Sequence, residues 1–118
     1  MSAAKAAAKQ QPQSAAAPSP FTPIADYAFL SDCENSCLIS SSGSVEWLCV
    51  PRPDSPSVFG AILDRGAGHF RLGPYGVSVP AARRYLPGSL ILETTWQTHT
   101  GWLIVRDTLV MGPWHDIE

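Results

Sequence analysis

The chain has 118 residues, a formal net charge of −2, 45% hydrophobic residues and 15% charged ones. That length fits one domain. Its eight Lys and Arg residues are scattered, with only Arg83 and Arg84 adjacent, so there is no basic stripe for phosphates and nucleic acid is excluded as a partner. No apolar run approaches the roughly 20 residues that span a bilayer, and no membrane partner is expected. The Ala-rich start is broken by Gln, Pro and Ser before an apolar h-region forms, unlike a secretory signal. Cys33, Cys37 and Cys49 leave at least one thiol unpaired. Together these features lead us to expect a reducing, cytoplasmic location.

In chain order, residues 1–20 are Ala, Gln, Pro, Ser and Lys with few apolar anchors. Pro12, Pro18 and Pro20 block a continuous helix, and a disordered tail is expected. The folded domain is expected over residues 21–118. Residues 36–40 and 45–50 read as two strands joined by Ser41-Ser42-Gly43-Ser44, a hairpin in which Gly43 is free to take positive φ. In the second strand the alternation places Val45, Trp47 and Cys49 on one face and Glu46, Leu48 and Val50 on the other.

The period then changes. Ser55 followed by Pro56 reads as an N-cap with proline at the first helical position. Val58, Phe59, Ile62 and Leu63 recur at helical spacing, and Gly66 suits a left-handed stop. One helix of about two turns is predicted there. Strands resume at residues 69–72 and at 77–86, the latter interrupted by Pro80 and so placed at an edge or bend. Residues 90–98 alternate cleanly, with Leu90, Leu92, Thr94 and Trp96 on one side. Residues 102–111 answer them across His99-Thr100-Gly101, and their β-branched and aromatic content supports both strands. The expected fold is therefore all-β: an incomplete antiparallel β-sandwich with one short helix and a disordered amino-terminal tail. About six strands are fewer than the seven or more common in a two-layer sandwich.

Several ordered blocks carry a resemblance. They are Pro23-Ile24-Ala25-Asp26-Tyr27, Leu30-Ser31-Asp32, Gly43-Ser44-Val45-Glu46-Trp47-Leu48-Cys49 and Pro51-Arg52-Pro53-Asp54-Ser55-Pro56-Ser57-Val58-Phe59. Gly68-His69-Phe70, Arg84-Tyr85-Leu86-Pro87 and Leu92-Glu93-Thr94-Thr95-Trp96 follow, then Thr100-Gly101. Taken in order, over about residues 22–118, they resemble the amino-terminal domain of bacterial glycoside hydrolases of family 15, trehalase-like or glucoamylase-like. The stretch ending Gly112-Pro113-Trp114-His115 looks like the trehalase branch. The resemblance implies a β-sandwich packed on an (α/α)6 toroid whose general acid and base hydrolyse α-glucosides such as trehalose. It also implies that this chain stops before the sandwich is complete. No position matches the two catalytic glutamates of that family, so no catalytic residue is carried over, and the isolated chain is expected to be inactive.

Residue chemistry agrees with that expectation. Glycoside hydrolysis needs two facing carboxyl groups, roughly 5–10 Å apart, one of them protonated. Asp54, Asp64, Glu93 and Asp107 are better explained by solvation or ion pairing, Asp107 because it follows Arg106. The proline-stiffened loop Pro51-Arg52-Pro53-Asp54-Ser55-Pro56 is more informative, since it presents a guanidinium and a carboxylate on a rigid tip. Arg52, Asp54, Ser55 and Phe59 are therefore expected at a domain interface or near substrate. Asp54 as a helix-capping aid and Arg52 as a structural ion pair is the plainer alternative. Trp96 and Trp102 are candidates for sugar stacking, although strand tryptophans are more often core or interdomain anchors. Cys33, Cys37 and Cys49 lack paired ligand spacing, so no metal and no cofactor are expected. A stand-alone carbohydrate-binding module and a vestigial fragment are the alternatives to a scaffold.

Overall fold

The computed structural model describes residues 19–111. The tail expected over residues 1–20 therefore lies almost wholly outside the described residues, as do residues 112–118. After a single 3-10 turn at Ile24–Asp26 come eight strands: β1 (Ala28–Ser31), β2 (Ser36–Ile39), β3 (Ser44–Cys49), β4 (Ser57–Phe59), β5 (Phe70–Arg71), β6 (Ala82–Tyr85), β7 (Leu92–Thr98) and β8 (Gly101–Asp107). They form two antiparallel sheets. The larger runs β1-β2-β3-β4, with β5 also pairing with β3, and the smaller runs β6-β7-β8. The all-β expectation holds.

Why these sheets face each other follows from the alternation of their strands. On β7, Leu92, Thr94 and Trp96 point inward and are buried, as the period-2 pattern requires. Opposite them, Ala28 and Leu30 of β1 and Cys37 and Ile39 of β2 form one core cluster with Leu92, and Val45, Leu48 and Leu109 pack against it. Two further bonds join the sheets along the β1 edge. The backbone N–H of Phe29 donates to the Tyr85 hydroxyl at 2.8 Å, and Arg83 Nη2 donates to the Asp26 carbonyl at 2.6 Å.

The predicted helix is not present. Ser57 and Phe59 pair instead with Cys49 and Leu48 of β3, and the Gly60 and Ala61 amides bond back to the Gly68 carbonyl at 3.2 and 3.1 Å. A helix beginning at Pro56 would have left that edge of β3 without partners, and backbone pairing overrides the weak local preference of so short a segment. The helical spacing of Ile62 and Leu63 has another origin. Both residues sit in a tight turn and line an open hollow with Leu38 and Trp47 on the outer face of the larger sheet.

Three smaller differences have equally local causes. The strand expected over residues 77–86 shortens to β6, because Val77 through Pro80 form no strand and bend at Val79 before the pairing with β7 begins. Strand β1 was not predicted from the sequence: its four residues, Ala-Phe-Leu-Ser, are too few to establish a period. Finally, Val45 and Trp47 do not share a face. The β2–β3 register jumps from Leu38↔Trp47 to Ile39↔Val45, so Glu46 is the extra residue of a β-bulge. Val45 then turns towards the core while Trp47 stays outside, as a one-residue insertion requires.

Gly43 holds the β2–β3 hairpin at φ +85°, as its place in the turn demanded. A Cβ there would lie 3.0 Å from the Leu72 carbonyl oxygen and 3.1 Å from Trp96 Cζ2. Replacing Gly43 with Ala is expected to cost more than about 1 kcal/mol, read as a lower urea midpoint with an unchanged slope.

Candidate functional site

Between β3 and β4 the proline-rich loop forms a small closed tip. The Ser55 amide donates to the Arg52 carbonyl at 3.0 Å, and the Arg52 amide donates to Ser55 Oγ at 3.2 Å. Asn35 Nδ2 ties the base of the loop to the Pro51 carbonyl at 3.1 Å. Above this frame Arg52 Nε lies 3.2 Å from Asp54 Oδ1, with both side chains largely in solvent. The structure thus brings Arg52, Asp54 and Ser55 together on one tip. Phe59 is elsewhere, half-buried on β4 with its ring 6.3 Å from that of Phe70.

The two tryptophans separate completely. Trp102 is 65% exposed on β8, opposite Gln97. Trp96 is 0% exposed, so the expectation that it stacks on a sugar is corrected: a ring enclosed between sheets has no free face. Its surroundings explain the burial. Gly43 and Gly73 both approach Cζ2, and the Arg71 guanidinium lies 5.4 Å from the ring centroid, within cation–π range. Arg71 is itself fixed by the Ser42 carbonyl at 2.9 Å and by the carbonyls of Pro74 and Val77.

Two carboxylates are buried in ion pairs: Glu93, for which solvation or ion pairing was expected, and Glu46, which the sequence did not single out. Glu46, 2% exposed, receives both Arg65 Nη1 and Nη2 at 2.8 and 2.9 Å and the hydroxyl of Tyr27. Arg65 also donates to the Ala61 carbonyl at 2.8 Å and lies over the Phe21 ring. Hydrogen bonding from Arg65 holds the Glu46 carboxyl below its ordinary value, whereas burial, aided by Glu46, pushes the Tyr27 hydroxyl up. Glu93 sits between Arg106 at 2.9 Å and Arg84 at 3.1 Å, and those two bonds lower its carboxyl. The row was legible in principle, because β7 pairs Glu93 with Arg84 on one side and Arg106 on the other.

Asp107 behaves in the opposite way. The ion pair expected from its neighbour fails because alternation along β8 sends Arg106 to Glu93. Asp107 instead borders an inter-sheet cavity of about 200 Å³ beside Leu30, Cys37, Leu48, Phe59 and Phe70. Burial raises its carboxyl, and burial with the Asp107 charge raises the Cys37 thiol to about 11. Chemically, Glu46 and Glu93 are charge-locked carboxylates unsuited to proton donation. Among the described residues no group of three or more His, Cys, Asp or Glu is placed to hold a metal ion, and no helix is long and apolar enough to cross a membrane.

Fold and charge clusters together define a two-sheet β module whose buried ionic groups hold loops to sheets. The family model described as trehalase-like, N-terminal, matches residues 16–110, and the chain belongs to that family. A trehalase of Mycolicibacterium smegmatis is 93% identical over 99 residues, covering 84% of this chain and 15% of the relative. A trehalase of Mycobacterium tuberculosis is 89% identical over the same shares, and trehalase 1 of Sulfolobus acidocaldarius is 36% identical over 84 residues. The chain therefore spans about 15% of the length of the curated relatives it matches. No solved structure gives a significant match.

Removing the guanidinium from Glu46 tests the clamp. Arg65→Ala leaves a buried carboxylate uncompensated and is expected to cost about 3 kcal/mol at pH 7. The sign with pH follows from the lowered carboxyl: its stabilisation is full above the ordinary glutamate value and is lost as pH falls through the depressed one. The wild-type advantage in urea denaturation should therefore narrow on acidification through that range.

Proposed function

We propose that this chain is the amino-terminal, non-catalytic scaffold portion of a trehalase-like α-glucoside hydrolase of glycoside hydrolase family 15. In this reading it acts in the cytoplasm and packs against an (α/α)6 catalytic domain that hydrolyses trehalose. One observation carries the reading: residues 16–110 match the trehalase-like, N-terminal family, and two trehalases are 93% and 89% identical over 99 residues. The chemistry of the chain supports it, since Glu46 and Glu93 are both held ionised by arginines. The Arg52–Asp54 tip and Ser55 are assigned to the interdomain rim, near substrate. Phe59 is assigned to packing against Phe70 at the inter-sheet cavity.

The test is hydrolysis of trehalose by three preparations. They are the purified chain, the part of the M. smegmatis relative lying outside its matched segment, and the two co-expressed. The expected result is activity only in the co-expressed pair. Hydrolysis by the chain alone, or full activity of the remainder without it, contradicts the scaffold reading.

A second reading, a stand-alone carbohydrate-binding module, draws on the exposed ring of Trp102. Tryptophan fluorescence titrated with trehalose and maltooligosaccharides separates the two. The scaffold reading expects flat traces, and saturable quenching abolished by Trp102→Ala favours the module.

A further inference from the structure

The inter-sheet cavity at the end of β8 combines two properties found together nowhere else among the described residues: apolar walls and an unpaired carboxylate. Its volume is about 200 Å³, and Leu30, Leu48, Phe59, Phe70 and Leu109 form much of its lining, with Asp107 on the border. Asp107 stands opposite the buried Leu92, and alternation along β8 puts it on the inner side with the buried Val105. The Phe59 and Phe70 ring centroids are 6.3 Å apart. Glu46 and Glu93 each have arginine partners, whereas Asp107 forms no ion pair among the described residues. Burial pushes its carboxyl up, as expected of an anion that nothing compensates. Such a group gains most from a cation brought to it.

We infer that this cavity is a binding site for a small organic ammonium ion, whose aromatic or branched aliphatic body fills the apolar hollow while its ammonium group meets Asp107. Size, lining and charge each select that class. A cavity of about 150 Å³ lined by Leu, Ile and Phe is enough to hold benzene, so the volume here admits such a ring with a one-carbon arm. The walls offer dispersion contacts and few hydrogen bonds, which suits a mostly apolar ligand with one polar end. A glucoside fits poorly, because its many hydroxyls would meet only Asp107, Thr108 and the Cys37 thiol as polar side chains of the lining. The single carboxylate selects a cation, and a compact ammonium can enter a hollow of this size with little bulk at its charged end. This site is separate from glucoside hydrolysis and does not rest on the scaffold reading.

The test is an NMR titration of the 118-residue chain at pH 7 with benzylammonium chloride, and in parallel with benzyl alcohol, which has the same body without the charge. Benzylammonium should shift the methyl signals of Leu30, Leu48 and Leu109 saturably, with a dissociation constant on the order of 1 mM. Benzyl alcohol should bind about tenfold more weakly or worse, because it leaves the carboxylate unpaired. Asp107→Asn should abolish that preference and leave the two ligands about equal. The comparison of ligands on the unaltered chain decides the matter even where the variant fails to fold. Equal binding of the two ligands to the unaltered chain, or no saturable shift at the lining methyls, overturns the site. So does a folded Asp107→Asn variant that keeps the preference for the cation. Saturable shifts at Trp47 and Ile62 instead would place the ligand in the hollow on the outer face and overturn it equally.

Discussion

A three-stranded sheet has too few inward side chains to cover the inner face of a five-stranded one, and much of this structure answers that constraint. The smaller sheet is anchored at the β1 side by Tyr85 and Arg83 and in the middle by Leu92 and Trp96. A fully buried tryptophan is among the largest single apolar contributions a small core can draw on. Glycine at position 43 makes room for it, since a Cβ there would lie 3.1 Å from Cζ2. The shortfall appears at the other end, where β8 stops and Asp107 borders an open cavity. Sheet inequality, cavity and lone carboxylate are thus one feature seen at three levels.

Charged groups do related work outside the core. A domain of this size has a small margin, about 5–15 kcal/mol in all, and its long connections carry many backbone groups that need partners. Arg65 fastens the turn after β4 to β3 through Glu46, and Arg71 fastens the segment around Pro74 to the rim of the Trp96 pocket. Such buried pairs are weak evidence for net stabilisation, because desolvation offsets their attraction. Their geometric effect is clearer: each sets the position of a loop that has few apolar anchors. The same pairing keeps Glu46 and Glu93 ionised, which separates them from the proton-sharing carboxyls of hydrolytic centres.

The strands with long, clean alternation were legible in the sequence, and so was the β2–β3 hairpin, because Gly43 sits between two extended runs. Most of the predicted face of β7 was read correctly, since Leu92, Thr94 and Trp96 are buried, whereas Leu90, expected with them, precedes the strand and is exposed. What failed did so where tertiary pairing decided the outcome. Phe59 has helical neighbours in sequence, yet its backbone completes the edge of β3. The bulge at Glu46 reverses the facing of Val45, and no local signal marks it. At the candidate site, the loop from Pro51 to Pro56 was recognisable as a rigid polar tip. Phe59 could not be separated from it, nor Trp96 from Trp102, because both distinctions depend on which side of a sheet faces another. The resemblance to trehalase-like enzymes needed no structure at all, since its blocks are contiguous.

In this structure the smaller sheet closes over the larger one. Exchange of the Trp96 indole N–H, followed by NMR in the unmodified protein, tests it most directly, with the Trp102 indole as the internal reference. Closed sheets should leave a Trp96 signal that persists long after that of Trp102 has exchanged with deuterium. If both indoles exchange at the same unprotected rate, the sheets do not close on Trp96, and the core described here is not the one that holds the chain together.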